Sequence, residues 1–156
     1  MHNGSLKKDK GFTIIEVVLV LAIAGLIFLI VFLALPQLQR SRRDTQRKND
    51  TGRMLAALES RAGNTNGDYP VNAPELATFV STYLTDEFRD PSSGNDYSVA
   101  YALGNSGWAS SAALGSVAYR NNAECDNEFA VGLTNQTRTV AVVMKLEQAT
   151  FCQDNK

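Results

Sequence analysis

The residues Lys10-Gly11-Phe12-Thr13-Ile14-Ile15-Glu16 are the stretch of this chain whose types and spacing could do chemistry. A short basic leader containing Lys7, Lys8 and Lys10 meets a glycine, an aromatic residue and then a lone carboxylate inside a long apolar run. An ionised glutamate in such a segment is costly unless it is paired. Cleavage of the Gly11–Phe12 peptide bond would create a partner, an α-amine four residues ahead of Glu16. The amine of one copy could pair with Glu16 of another inside an apolar bundle, which would fix the register of assembly. The plainer alternative is a tolerated polar residue near the edge of a span, reaching for the interface.

Other reactive types are sparse. Cys125 and Cys152 both lie in the last third of the chain. Zinc needs about four N/S ligands, and the single histidine, His2, sits in the leader. The cysteines therefore read as one disulfide or as two buried thiols. A disulfide would need an oxidising compartment and would contribute roughly 3.5 kcal/mol in the chain-entropy account. Asp90-Pro91-Ser92-Ser93-Gly94-Asn95-Asp96 gathers oxygen ligands, of which Asp90, Ser92, Asn95 and Asp96 could hold calcium. The spacing is not that of an EF-hand, and the same residue types are what a tight turn requires. The expectation is a turn, with no metal and no cofactor. No histidine survives loss of the leader, and no P-loop, nucleophile motif or metal cluster is visible, so an enzyme is not expected.

The element that must carry Glu16 runs from Phe12 to Leu35, apolar apart from Thr13, Glu16 and Gly25. About 24 residues at about 1.5 Å each give roughly 36 Å, enough to cross a bilayer core. The run shows no polar face, as a soluble core helix would. It is also longer than a secretory signal's apolar region and ends at Pro36-Gln37 rather than at a small-residue cleavage site, so it should stay in the mature chain. Pro36 removes one helical hydrogen bond and should kink or loosen the helix. Residues 37–61 are rich in helix formers. Leu35, Leu38, Arg42, Thr45, Lys48, Gly52, Leu55 and Leu58 fall on one stripe, apolar only at its ends. The middle of this stripe should be solvated or face other copies, while Met54, Leu55 and Leu58 pack on a head.

Beyond a turn at Ala62–Asp68, Pro74–Leu84 predicts a short helix. Four strands are predicted from period-two alternation: Tyr97, Val99, Tyr101 and Leu103; Val117 and Tyr119; Phe129, Val131 and Leu133; and Val140, Val142, Met144 and Leu146. The last two, joined by Thr134–Thr139, should form an antiparallel hairpin. A small-residue loop, Gly104–Gly115, carries the only tryptophan, Trp108. The expected fold is α+β, a long N-terminal helix on a small antiparallel sheet of about four strands. The organisation reads as a leader (1–11), an apolar helix (12–36), an amphipathic stem (37–61) and a head (62–156).

The 156-residue chain has a net charge of −1, which gives no case for nucleic acid as a partner. That average hides a segregation. Residues 37–54 hold six basic residues against two acidic, whereas from Gly63 onward eleven acidic residues face five basic. A basic neck and an acidic head suit self-association, since such fields orient partners.

At its basic leader, Gly11, Phe12, the Thr-Ile-Ile-Glu start of the span and Pro36, the sequence resembles the type IV pilin family and its pseudopilin relatives. Weaker echoes are Arg43-Asp44-Thr45-Gln46-Arg47-Lys48-Asn49-Asp50, Asn66-Gly67-Asp68-Tyr69-Pro70 and Leu146-Glu147 ahead of Cys152. The resemblance implies a prepilin peptidase that cuts after Gly11, with N-methylation of Phe12, and Glu16 as the assembly carboxylate. It implies a disulfide between Cys125 and Cys152, since many pilins close a C-terminal loop this way; here it would span the last hairpin. The chain also resembles, at Asp90–Asp96, the calcium loop of some pseudopilins. The implied partners are like subunits in a filament, membrane lipid before assembly and an inner-membrane assembly platform. The implied course is from the cytoplasmic membrane to a pilus on the cell surface, serving adhesion, twitching motility or DNA uptake.

Two other functions fit parts of the sequence. A pseudopilin of a type II secretion or competence system would begin the same way. An uncleaved, single-pass anchored binding module is supported by the charges flanking the span: three lysines precede it, while Arg40, Arg42, Arg43, Arg47 and Lys48 follow. Taken alone, the positive-inside rule puts the head in the cytoplasm. The cleavable leader and the cysteine pair point outward.

Overall fold

A single helix, α1, spans Ile14–Asn64 and includes Pro36. The computed structural model describes residues 11–85, 88–102, 112–133 and 138–156. The chain divides into two compact units, Met1–Gln39 and Arg40–Lys156. In the first, the described residues are a short lead-in, residues 11–13, and the apolar part of α1. In the second, the remainder of α1 carries the head.

The end of α1 follows from its last residues. Asn66 (φ 61°) and Gly67 (φ 93°) turn left-handed, and the Gly67 N–H donates to the Ala62 carbonyl at 2.7 Å. This is the 6→1 bond of a Schellman-type stop. A second helix, α2, spans Ala73–Tyr83. Asn72 caps it by accepting from the Glu75 N–H at 2.9 Å, and Glu75 accepts in return from the Asn72 side chain and the Val71 N–H.

Among the described residues the head has the strands β1 (Ser98–Tyr101), β2 (Ser116–Asn121), β3 (Ala123–Asp126), β4 (Phe129–Gly132), β5 (Val140–Lys145) and β6 (Thr150–Asp154). The main sheet has the order β1-β2-β5-β6, and β3 and β4 form a separate two-stranded sheet. The architecture is α+β, with two corrections to the expected sheet. First, it is mixed: β1 and β2 are parallel, with Ser98 opposite Ser116, while the other pairs are antiparallel. Second, the expected hairpin between the Phe129 and Val140 strands does not form. β4 pairs with β3, Cys125 opposite Ala130, and β5 lies between β2 and β6. Neither β3 nor β6 is among the strands expected from alternation. Both are short and half-polar (Ala-Glu-Cys-Asp and Thr-Phe-Cys-Gln-Asp), so their period-two signal is weak. Leu103, Trp108 and residues 134–137 of the expected connection lie outside the described residues.

The alternation of β2 and β5 explains the core. Val117 and Tyr119, with Val140, Val142 and Met144, face Met54, Leu55 and Leu58 of α1 and Leu76 and Phe79 of α2. The opposite face of β5 is also covered. Ala118 and Val143 pack with Ala130 and Cys152. β5 is therefore buried on both faces, which matches its almost unbroken apolar run.

Candidate functional site

Glu16 is set by the start of its own helix. Thr13 immediately precedes α1, and both its N–H (2.9 Å) and its hydroxyl (2.7 Å) donate to Glu16 Oε2. The Glu16 N–H in turn points to the Thr13 hydroxyl at 3.4 Å. Thr-x-x-Glu is a capping box, in which the first residue and the third helical residue satisfy each other's free backbone groups. The carboxylate thus has partners within its own chain. Sequence reasoning missed this relationship, although its signal, four residues of fixed spacing, is present. Gly11 and Phe12 lie just ahead of the box, both exposed, Phe12 to 90%. The two residues of the candidate cleavage bond are thus uncovered by the other described residues, and the residue bearing the new amine would adjoin the Thr13–Glu16 pair.

From Ile14 to Leu35 the large apolar side chains are exposed, and none of the best spanning window of this helix is buried. Its length and composition suffice to cross a membrane. Nothing stands within 4 Å of a Cβ placed at Gly25, so this helix face is open to close approach by another helix. Pro36 lies inside the helix without ending it. Its missing N–H leaves the Phe32 carbonyl without that helical donor.

In the second unit, Cys125 of β3 and Cys152 of β6 are joined by a disulfide, with their Cα atoms 5.8 Å apart. The bridge does not tie the flanks of a hairpin. It staples the small sheet to the edge of the main one, beside two polar links: the Cys125 N–H to Asp154 Oδ2 at 2.7 Å, and the Thr150 hydroxyl to Glu128 Oε2 at 2.9 Å.

The stem contains a feature the sequence stripe misplaced. Arg42, Thr45 and Lys48 are exposed or half-exposed as expected. The face that continues Met54 and Leu58 toward the N-terminus is instead Arg47, Asp50 and Thr51, all buried. Arg47 is fully enclosed. It donates through Nε to Asp90 Oδ1 (2.8 Å), through one terminal nitrogen to Asp44 Oδ1 (3.0 Å) and Glu147 Oε1 (3.4 Å), and through the other to the Ser92 hydroxyl (3.0 Å). That last nitrogen is also 2.6 Å from Asp90 Oδ1. Arg43 donates to Glu147 as well, at 2.8 Å. Desolvation works to lower the Arg47 pKa, but the bonds and charges of Asp90, Asp44 and Glu147 outweigh it and hold it above its ordinary value. Burial likewise works to raise the Asp90 pKa, and Ser92, Arg47 and the Ser93 N–H overcome it, leaving the carboxyl more acidic than usual. The bond from Arg43 is the main reason Glu147 is also more acidic. One row away, the Tyr97 hydroxyl donates to Asp50 Oδ2 at 2.9 Å. Burial, and then that carboxylate, push the phenol far up.

The four oxygen-bearing residues considered for calcium are engaged separately. Asp90 and Ser92 face Arg47 and also bond each other. Asp96 accepts from Arg89 at the exposed rim, at 3.1 Å. Asn95 accepts the Asp90 N–H through its carbonyl, at 2.8 Å, and Gly94 (φ 70°) bonds back to the Asp90 carbonyl, closing the turn. Among the described residues no group of three or more His, Cys, Asp or Glu is arranged to hold a metal.

A family model described as the prokaryotic N-terminal methylation motif matches residues 6–32. No curated protein matches the chain. No solved structure matches it either. The matched segment contains Gly11, Phe12, the Thr13–Glu16 box and most of the exposed apolar helix. Over residues 6–32 this chain bears the type IV pilin-like cleavage and methylation signal.

Proposed function

We propose that the chain is a structural subunit of a type IV pilus filament. In this reading a prepilin peptidase cuts between Gly11 and Phe12, Phe12 is N-methylated, and the apolar helix holds the subunit in the cytoplasmic membrane until an assembly platform adds it to a surface fibre. The observation that supports it is the match to the methylation motif on a helix whose large apolar side chains are exposed among the described residues.

The physics of assembly follows from that helix. Moving it from lipid into a bundle of like helices gains little from the hydrophobic effect, because acyl chains are as apolar as leucine. Assembly must then draw on close packing and on polar pairing in a low-dielectric interior. Glu16 supplies the anion and the new amine of a neighbouring copy the cation. A positive charge brought to the Thr13–Glu16 box would complete a carboxylate that already accepts two bonds from Thr13. Loosening at Pro36 would ease extraction from the bilayer.

The test is the intact mass and N-terminal sequence of the chain recovered from sheared cell-surface material. The expected chain begins at Phe12, is heavier by one methyl group and is lighter by two hydrogens for the cysteine pair. A processed chain confined to membranes would replace the pilus with a secretion or competence pseudopilin. An intact Met1, found only in membranes, would replace both with an uncleaved anchored module.

A further inference from the structure

We infer that Arg47 is the built-in cation of the 89–96 loop, so that the head is closed by a guanidinium from its own stem and needs no divalent metal there. Every group involved belongs to the second unit, so the assignment stands whether or not the chain assembles into a pilus.

The loop has the composition of a calcium-binding turn, and its two inner oxygen donors, Asp90 and Ser92, converge on one point. That point is occupied by the guanidinium. Asp90 Oδ1 receives Arg47 Nε and a terminal nitrogen, while Asp90 Oδ2 receives the Ser92 hydroxyl and the Ser93 N–H (3.3 Å). Both carboxylate oxygens are thereby used. The same guanidinium reaches Asp44 on its own helix and Glu147 in the turn between β5 and β6. The Glu147 N–H closes the circuit by donating to Asp44 Oδ1 at 3.1 Å. One planar cation therefore joins three chain segments: stem, loop and strand turn. A hydrated metal would have to displace it, and Arg47, with none of its side chain exposed, is held there by its acceptors and not by water.

The arrangement also explains why arginine is needed. Its fixed fork serves acceptors in several directions at once, whereas a lysine ammonium offers a single point of charge. A surface arginine in the same sequence position would show none of this dependence on Asp90.

Thermal unfolding of the full-length chain in detergent micelles tests the inference. Adding EDTA or millimolar calcium to the unmodified chain is expected to leave the melting temperature unchanged. Arg47→Met should lower it by on the order of 10 °C. Arg47→Met combined with Asp90→Asn should melt higher than Arg47→Met alone, because the stranded buried carboxylate is then neutral. Asp90→Asn on its own should lower the melting temperature. A rise with calcium, a fall with EDTA, or a double variant no more stable than the single one would overturn the inference. If Arg47→Met does not fold, the chelator and calcium arms on the unmodified chain and the Asp90→Asn variant still decide it.

Discussion

Thr13 donates twice to one oxygen of Glu16, through its N–H and its hydroxyl, so the carboxylate is held at the first turn of α1 by its own chain. In the proposed assembly Glu16 would hold two roles, capping its own helix and receiving a charge from a neighbouring copy.

Glu16→Ala removes both roles, whereas Thr13→Ala removes the hydroxyl bond and spares the charge. Glu16→Ala should leave cleavage intact but reduce the chain in sheared surface material by at least about tenfold, equivalent to about 1.4 kcal/mol. Thr13→Ala should reduce it less and should speed amide exchange in the first turn of α1. Quantifying processed chain in membrane and surface fractions checks both. Equal surface yields for Glu16→Ala and the parent chain would show that Glu16 is only a cap.

Acid should weaken the head through Asp90 and Glu147. Both carboxyls are more acidic when folded than in an unfolded chain, where values near 4 are ordinary. Their contribution is therefore complete above about pH 4 and is lost as pH falls through the lower folded values. Melting temperature measured from pH 7 to about pH 2.5 should drop at the acid end. Asp90→Asn should start lower and lose less over the same interval; an acid loss identical to the parent chain would count against the assignment.

Reduction should destabilise the head without changing α1. Cys125 and Cys152 are 27 residues apart, and opening a loop of that size costs about 3.5 kcal/mol in the chain-entropy account. The urea midpoint of the full chain in detergent should fall on adding dithiothreitol, and a Cys125→Ser, Cys152→Ser variant should match the reduced protein.

Gly67→Ala should destabilise the head more than a surface glycine change normally does. Gly67 has φ 93°, and a Cβ there would stand 2.8 Å from the Arg138 guanidinium carbon. The strained backbone alone costs about 1–3 kcal/mol. By contrast Gly63, in the last turn of α1 with nothing within 4 Å of a Cβ, should accept alanine and gain slightly. Urea unfolding of the two variants side by side gives the comparison.

Alkali should act through buried phenols. Burial is the first cause that raises Tyr97 and Tyr119 above the ordinary tyrosine value. A raised folded pKa contributes stability in full below about pH 10, and that contribution is lost as pH rises further. Absorbance at 295 nm should show part of the phenolate signal appearing only with unfolding, and that late part should shrink in Tyr97→Phe.

Short-range features are legible in the amino-acid order alone. The unbroken apolar run of Phe12–Leu35, the stop at Asn66-Gly67, the short helix from Pro74 and the alternation of Val117/Tyr119 and Val140/Val142/Met144 each depend on neighbours in sequence. The leader, Gly11, Phe12 and Glu16 stand in the spacing of the methylation motif. Pairing is not legible in the same way. Nothing local tells β4 to take β3 rather than β5, because β3 has a single buried position, Ala123, and no large apolar residue, and β6 owes its place to its pairing with β5.

The stem marks the same boundary between local and long-range information. The 3.6-residue period locates Met54, Leu55 and Leu58 on the packing face because apolar residues announce burial. Extending that face toward the N-terminus along the stripe leads to Lys48, one position off Arg47, and nothing local favours Arg47 for burial, because a charged residue reads as solvated unless its partners are known. Those partners, Asp90 and Glu147, are 43 and 100 residues away. The sequence by itself determined the membrane-length helix, its processing signal and the α+β class, all set by hydropathy and spacing along the chain. The mixed strand order, the staple from β3 to β6 and the enclosure of Arg47 were decided only by tertiary structure, since each exists only where distant segments exclude water from one another.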